Sequence, residues 1–261
     1  MDNKFLVGVL TTRDVDKTKR CLDSIDCKDV DVVVIVNTTD PFYLKKVEEI
    51  CVGYTVIETS CNSTPGKGKN SVLDYFIQKR YKYLLPIDGD DYYTEGAVKQ
   101  LVRYTNLLEP EFLPDIIGQL NNQMSYRGEK TNWIDFSKIL PTSTLATKSK
   151  ANWRTLRQLN KLTEEVLPFN RFLLLSSVAA KSFRYSETLL AADDYLAMYE
   201  LYSQPSLNYL LLRERNWYYY DLDETGTLHK FVSEDNTENM IPFWEKIATL
   251  DFTSSKTIGI Q

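Results

Sequence analysis

The first half of the chain alternates short apolar runs with amphipathic segments. The uninterrupted run Val32–Val36 is typical of a parallel strand that is covered on both faces. The predicted strands are Phe5–Thr11, Val32–Val36, Tyr54–Ile57 and Tyr83–Ile87, and the predicted helices are Val15–Ile25, Phe42–Ile50 and Ser71–Tyr81. This alternation predicts an α/β fold in which a mainly parallel central sheet is flanked by helices and joined by right-handed crossovers.

The second half of the chain is less regular. The predicted strands are Ile116–Leu120, Trp133–Phe136 and Phe172–Ser177, the predicted helices are Lys150–Val166 and Asp193–Tyr202, and the runs Leu207–Leu212 and Trp217–Tyr220 are expected to pair. The sequence has no internal repeat and no low-complexity linker. We therefore predict one domain over residues 1–261, made of the regular half 1–110 and the less regular half 111–261.

Composition narrows the class of protein. A net charge of −5 on a chain of 261 residues argues against broad, non-specific nucleic-acid binding, which needs a basic surface, although a local basic face can lie on an acidic protein. Its 4 cysteines form no C-x-x-C pair, which argues against a zinc site or a disulfide framework. The start lacks the apolar region of a signal peptide, and runs such as Phe172–Val178 are too short to span a membrane. We expect a cytoplasmic protein without a membrane span.

Three carboxylates follow the predicted strand Tyr83–Ile87, in the sequence Asp88-Gly89-Asp90-Asp91. Such a cluster repels itself unless a cation or solvent neutralises it, and carboxylate oxygens suit Mg²⁺ or Mn²⁺. In an extended segment Asp88 and Asp90 would face the same site, and Gly89 would let a phosphate or ribose approach closely. The alternative is an acidic turn before a helix that begins near Thr94.

Polar residues also follow the first two predicted strands, at Thr11-Thr12-Arg13 and Asn37-Thr38-Thr39-Asp40. Ligands of open α/β sheets bind beyond the carboxyl ends of the strands, so one crevice could collect these residues and the carboxylates.

An apolar strand that ends in D-x-D-D, in a chain that opens with β-α-β, resembles the family-two glycosyltransferases of the GT-A fold. The segment Pro65-Gly66-Lys67-Gly68-Lys69-Asn70 resembles that family's glycine-rich start of the helix before the D-x-D strand. The resemblance implies that Asp88 contacts the ribose or the metal and that Asp90 binds the metal. It places Lys67, Lys69 and Asn70 near the phosphates. Ser71 and Asp74 also fit a capping box, which is a structural role.

The resemblance implies weaker assignments for the nucleoside. The family holds the base and ribose after the first strand, where this chain has Thr11, Thr12 and Arg13. An acidic residue often reads uracil after the second strand, and here Asn37 stands in that region.

A second acidic pair, Asp193-Asp194, opens the predicted helix Asp193–Tyr202 after the aromatic segment that begins at Phe183. An acceptor hydroxyl needs a carboxylate to take its proton, and a helix N-terminus keeps such a carboxylate ionised. The alternative is a pair of N-terminal caps without chemistry. The same family resemblance implies that Asp194 is the base, that Asp193 supports it, and that His229 completes the metal site.

The resemblance implies an inverting, metal-dependent glycosyltransferase with Mn²⁺ or Mg²⁺ and a nucleotide-sugar donor, UDP-sugars being favoured. It also implies that residues 1–110 form a nucleotide-sugar-binding half and residues 111–261 an acceptor-binding, catalytic half. The acceptor is a glycan, a lipid-linked sugar, a protein or a modified nucleic-acid base. The alternatives are a nucleotidyltransferase of the same fold, or a module that binds a nucleotide or sugar without catalysis.

Overall fold

The computed structural model describes residues 4–59, 64–108, 113–119, 123–126, 129–132, 172–189, 193–202, 204, 206–212, 217–222, 246, 249 and 257–260. The strands are β1 (Phe5–Thr11), β2 (Val30–Val36), β3 (Thr55–Glu58), β4 (Tyr83–Asp88), β5 (Tyr92–Tyr93), β6 (Ile116–Gln119), β7 (Gln123–Tyr126), β8 (Glu129–Asn132), β9 (Phe172–Ser176), β10 (Tyr209–Leu212), β11 (Tyr218–Leu222) and β12 (Thr257–Ile260). The helices are α1 (Val15–Asp23), α2 (Pro41–Ile50), α3 (Pro65–Gln78), α4 (Ala97–Leu107), α5 (Ser177–Lys181) and α6 (Asp193–Tyr202).

The central sheet has eight strands in the order β12-β10-β6-β9-β4-β1-β2-β3. All its described neighbours pair in parallel except β9, which is antiparallel to both β4 and β6. Strand β1 lies between β2 and β4, with Phe5 opposite both Val30 and Tyr83. This mainly parallel sheet confirms the predicted α/β fold class.

The sheet draws strands from both predicted halves of the chain, since β6, β9, β10 and β12 follow residue 110. The division at residue 110 stays a prediction. A smaller sheet has the order β5-β11-β7-β8. Strands β10 and β11 therefore lie in different sheets, and the predicted pairing of Leu207–Leu212 with Trp217–Tyr220 is wrong.

The core forms around the middle of the large sheet. Every residue of β1 is buried, which is what a strand covered on both faces requires. Fully buried side chains from β1, β4 and α3, among them Leu6, Leu84 and Phe76, pack in this region. The apolar runs of the sequence thus fix the centre of the sheet and leave its carboxyl edge for polar residues.

Capping side chains and Pro65 mark the starts of the helices near that edge. The Asp14 side chain accepts from the Lys17 N–H at the start of α1, and the Asp40 side chain accepts from the Phe42 N–H at the start of α2. Helix α3 begins at Pro65, six positions before the predicted start at Ser71. The Ser71 hydroxyl donates to the Lys67 carbonyl inside this helix, so the predicted capping box is wrong.

Two predicted elements, Trp133–Phe136 and Lys150–Val166, lie outside the described residues. Within the part of the chain that the structure describes, no helix has both the length and the hydropathy needed to cross a membrane.

Candidate active site

The D-x-D-D segment forms a turn at the carboxyl end of β4. The Asp91 N–H donates to the Asp88 carbonyl at 3.0 Å, so the segment is not extended as the sequence predicted. The Gly89 N–H donates to the Leu10 carbonyl at 2.7 Å, and a Cβ at Gly89 would lie 2.9 Å from Thr11 Cβ. Gly89 therefore lets the turn pack against the end of β1.

The third carboxylate of the segment points away from its neighbours. Asp91 is fully buried and accepts hydrogen bonds from the Tyr218 hydroxyl and, at 2.9 Å, from the Asp221 N–H. Because both donors belong to β11, Asp91 joins the turn to the smaller sheet.

Helix α1 holds the same turn from its other side. The Arg20 guanidinium donates to the Asp90 carbonyl at 2.9 Å and pairs with Asp221 at 2.5 Å. Lys17 also pairs with Asp221, at 3.2 Å. The backbone that carries Asp88 and Asp90 is thus fixed by charged groups from α1 and β11, a role that the sequence pattern did not predict.

Lys69 is the centre of the acidic site. Its ammonium nitrogen lies 3.0 Å from Asp193 Oδ2 and 3.9 Å from Asp88 Oδ1, and it donates a short hydrogen bond to Asp194. The Lys69 side chain is only 11% exposed, while those of Asp88 and Asp194 are 23% and 24% exposed. The structure therefore brings together three predicted carboxylates, two of which reach solvent.

The two carboxylates of α6 differ in their surroundings. The Asp193 side chain is 5% exposed, and burial raises its pKa to about 6, with a further rise from Asp194 and an opposing effect of Lys69. Asp194 is the more exposed carboxylate of the pair. The assignment of Asp194 as the base stays a prediction.

Aromatic and apolar side chains line a pocket of about 40 Å³ below these charges. Lys69, Asp88 and Asp194 line it together with Tyr185 and Met198. Tyr185 lies under the ammonium group, which is 5.5 Å from the ring centroid. Burial, followed by the charge of Asp194, raises the pKa of the Tyr185 hydroxyl, which therefore stays protonated.

The glycine-rich segment forms the first two turns of α3. A Cβ at Gly66 would lie 1.9 Å from the Ser186 carbonyl oxygen, and one at Gly68 would lie 2.5 Å from Leu10 Cδ1. The glycines thus allow α3 to pack against β1 and against the segment that precedes α6. The Asn70 amide strengthens the second contact, because it donates to the Tyr185 carbonyl and to Glu187 and accepts from the Tyr185 N–H.

The predicted nucleoside contacts are divided between buried and accessible groups. The Thr11 hydroxyl bonds to Thr18 at 2.6 Å and to Tyr43, and the Asn37 amide bonds to the Thr64 carbonyl and to Thr59. Both side chains are buried and hold the edge of the sheet together. Thr12 and Arg13 are half-buried.

Of the two lysines predicted near the phosphates, Lys69 faces the carboxylates and Lys67 is exposed on α3. No sequence signal separated the two lysines, because helix α3 was predicted to begin after both.

Two of the predicted metal ligands lie in the turn after β4. Asp88 and Asp90 offer carboxylate oxygens at a partly exposed turn, which fits an ion that takes its other ligands from a diphosphate and water. Among the described residues, no three His, Cys, Asp or Glu side chains converge as a complete metal site. The predicted ligand His229 lies outside the described residues.

The mainly parallel sheet has its acidic residues at the carboxyl ends of β1 and β4 and belongs to the Rossmann-like α/β class. Proteins of this class bind their ligands beyond the carboxyl ends of the strands. Neither a scan against protein-family models nor a search of curated proteins gave a match. Solved structures of S. aureus TarS, a glycosyltransferase, share the fold.

One TarS structure matches with a TM-score of 0.57 at 19% identity and covers 96% of this chain and 40% of the TarS chain. TarS 1–349 in complex with UDP-GlcNAc matches with a TM-score of 0.60 at 20% identity, over 95% of this chain and 68% of that chain. The complex of TarS 1–349 with UDP matches with a TM-score of 0.55 at 18% identity, over 95% and 67%. These matches confirm the predicted fold, while membership of family two stays a prediction.

Proposed function

We propose that this protein is a glycosyltransferase that moves a sugar from a nucleotide-sugar to an acceptor hydroxyl, with UDP-sugars as the favoured donors. The observation that carries the proposal is the convergence of Asp88 and Asp194 on Lys69. Asp88 belongs to the strand edge where this fold class binds nucleotides, and Asp194 opens the helix of the predicted base. The shared fold with TarS in complex with UDP-GlcNAc and UDP supports the choice of donor.

In the proposed reaction Asp194 takes the proton of the acceptor hydroxyl while the hydroxyl oxygen forms a bond to the anomeric carbon. The bond from that carbon to the diphosphate oxygen breaks, and the nucleoside diphosphate leaves with the electron pair. A single displacement of this kind inverts the anomeric configuration. Lys69 holds the Asp194 carboxylate in place through the ion pair between the two side chains.

The residues Asp88 and Asp90 would hold a divalent cation, Mn²⁺ or Mg²⁺, together with the donor diphosphate. Such an ion supplies neutralisation of the charge on the leaving diphosphate. The proposed acceptors are those that the sequence allows, namely a glycan, a lipid-linked sugar, a protein or a modified nucleic-acid base.

Thermal unfolding with a panel of nucleoside diphosphates and nucleotide-sugars, each with and without Mn²⁺, tests the donor site. At a hundredfold excess over Kd we expect the correct nucleotide to raise the melting temperature by roughly 5–10 °C. The shift should need Mn²⁺ and disappear in Asp90→Ala. The control Asp23→Ala removes a carboxylate that is 63% exposed and pairs with Lys19, and it should keep the shift.

The same panel separates the alternatives. The absence of a shift with any nucleotide would contradict the glycosyltransferase proposal. A shift with nucleoside triphosphates alone, followed by diphosphate release with a sugar phosphate, would indicate a nucleotidyltransferase. Binding of a nucleotide-sugar without release of the nucleoside diphosphate, in the presence of any acceptor class, would indicate a binding module.

A further inference from the structure

A group of basic side chains lies at the amino ends of the central strands, on the edge of the sheet opposite the acidic site. We call this surface the basic edge, and its exposed members are Lys4, Lys79, Arg80, Lys82 and Lys181. Backbone hydrogen bonds bring these members together. The Lys82 N–H donates to the Lys4 carbonyl, and the Ser177 N–H donates to the Lys82 carbonyl, both at 3.0 Å. The starts of β1, β4 and α5 therefore lie side by side, next to the end of α3.

The cations of the basic edge have no carboxylate partner in the part of the chain that the structure describes. Lys79 lies over the ring of Tyr75, with 5.7 Å between the ammonium nitrogen and the ring centroid. Lys82 lies over the ring of Tyr83 at 5.2 Å. On a chain whose net charge is −5, this edge is thus a local surface of uncompensated positive charge.

The carboxylates that border this edge do not neutralise it. Asp31 accepts a hydrogen bond from the Tyr81 hydroxyl at 2.7 Å, and Asp115 accepts one from the Ser176 hydroxyl at 2.8 Å. Asp29 is exposed before β2, beside the exposed Lys28, which offsets its charge.

Arg80 occupies a backbone conformation that is unusual for its residue type. It follows α3 with a φ of 62°, in the left-handed region where helices commonly end with glycine or asparagine. A residue with a Cβ is strained there, and such strain in an exposed residue points to a function of its side chain. The conformation places a fifth cation at the basic edge, where a glycine would have ended the helix with less strain.

The basic edge also carries an exposed apolar side chain. Val178, in the first turn of α5, is 59% exposed and lies between Ser177, which bonds to Lys82, and Lys181. Surfaces that bind anionic membranes combine these two features, because cations meet the phosphates of the headgroups while apolar groups enter the layer beneath them. A nucleic acid would gain from the cations alone, since its backbone offers phosphates and sugars.

The charges of the molecule are separated along its strands. Lys82 directly precedes β4 and Asp88 ends it, and the six residues of this strand span about 20 Å. A planar, negatively charged surface would attract the basic edge and repel the carboxylates at the other end of the sheet. The separation therefore selects one orientation, in which the acidic site faces away from the surface.

We infer that the basic edge binds the surface of a membrane that contains anionic phospholipids. The five cations contact the headgroup phosphates, and Val178 enters the boundary between headgroups and acyl chains. Attachment of this kind is reversible and weakens with salt, because it depends mainly on exposed charges. The inference concerns a surface remote from the acidic site and does not depend on the proposed function.

Co-sedimentation of the whole chain with lipid vesicles tests the inference. We expect binding to phosphatidylcholine vesicles that contain about one-third phosphatidylglycerol, and none to vesicles of phosphatidylcholine alone. Raising the salt from about 0.1 M to about 1 M should abolish binding, since the Debye length falls from about 10 Å to about 3 Å.

Two triple variants with the same change in net charge locate the contact. The edge variant combines Lys79→Gln, Lys82→Gln and Lys181→Gln, and its partition coefficient should fall about a hundredfold, since each cation near an anionic surface strengthens binding about fivefold. The control combines Lys45→Gln, Lys46→Gln and Lys99→Gln, at exposed positions of α2 and α4, and should change the coefficient less than about threefold. Val178→Thr, which leaves the charge unchanged, should weaken binding about two- to fivefold.

Three results would overturn the inference. The first is the absence of binding to the anionic vesicles at low salt. The second is an equal loss in the two triple variants, which would show that net charge acts without a defined surface. The third is tighter binding of a DNA duplex or a single-stranded RNA than of vesicles at equal phosphate concentration, lost in the edge variant, which would make a nucleic acid the partner of the basic edge.

Discussion

The ammonium nitrogen of Lys69 lies 3.0 Å from a carboxylate oxygen of Asp193, although 124 positions separate the two residues in the chain. The same ammonium group contacts Asp194 and lies 3.9 Å from Asp88. One lysine of α3 thus joins the end of β4 to the start of α6. Since carboxylates held this close repel one another, the lysine is what allows them to share a largely buried site.

Replacing Lys69 with Met should destabilise the fold at neutral pH. The substitution leaves the carboxylate of Asp193, only 5% exposed, without the cation that it contacts, and breaking a buried ion pair in this way costs about 3 kcal/mol. Urea unfolding at pH 7 measures the loss. Lys69→Arg keeps the charge and should lose less. Equal stability of Lys69→Met and the wild type would show that the ion cluster makes no net contribution to folding.

The pH dependence of the free energy of unfolding should reveal the raised pKa of Asp193. Burial raises its folded-state pKa to about 6 from an ordinary value of 3.8, so the folded state binds this proton more tightly than the unfolded state does. This tighter proton binding stabilises the folded state by about 3 kcal/mol. The stabilisation is complete below about pH 4 and is lost as the pH rises through about 6.

Asp193→Asn provides the reference for this measurement, because it cannot titrate. Between pH 4 and pH 7, we expect the wild type to lose stability relative to Asp193→Asn in urea unfolding. A difference between the two proteins that stays constant over this range would contradict the raised pKa. Carboxylates remote from the Lys69 cluster titrate alike in both proteins, so their contribution cancels in the comparison.

The packing of α3 predicts a cost for Gly66→Ala. A Cβ at this position would lie 1.9 Å from the Ser186 carbonyl oxygen, and this neighbour is backbone that cannot rotate away. Alanine gains up to about 1 kcal/mol of helix propensity, but overpacking of this severity should outweigh it and give a net loss of about 2 kcal/mol. Thermal unfolding checks the sign. Gln78→Ala, at an exposed position of the same helix, should be nearly neutral, and a stabilised Gly66→Ala would show that α3 and the Ser186 segment can separate at little cost.

Apolar periodicity predicted the sheet centre well. Strand β1 has the predicted bounds Phe5–Thr11, because an unbroken apolar run has one stable place between two layers of helices. The start of α3 was missed because glycines usually indicate a loop. Here Gly66 and Gly68 lie in the helix, and the close packing that they allow offsets their low helix propensity.

Sequence patterns did not predict which strands pair or which distant side chains contact one another in the folded chain. The runs Leu207–Leu212 and Trp217–Tyr220 have the spacing of a hairpin, yet Tyr218 turns to the buried Asp91 while Tyr209–Leu212 pairs with β6 in the large sheet. The sequence identified Asp88, Asp193, Asp194 and Lys69 one by one as candidates. Their common contact depends on how α3, β4 and α6 pack, which no local pattern encodes.

The assignment of the base predicts that Asp194→Asn loses sugar transfer and keeps nucleotide binding. Removing a general base costs typically 10²- to 10⁴-fold in rate, and the amide cannot accept the acceptor proton while it preserves the size of the side chain. With the nucleotide-sugar that the thermal-unfolding panel identifies, the rate of nucleoside diphosphate release, with transfer to water included, measures the loss, and thermal unfolding with that nucleotide measures binding. Asp74→Asn, at a carboxylate that is 64% exposed and paired with Arg184, is the matched control.

Turnover near the wild-type rate in Asp194→Asn, together with a large loss in Asp193→Asn, would move the role of base to the buried neighbour. In that case the acceptor would have to reach the interior of the acidic site, beneath Lys69, instead of its exposed edge.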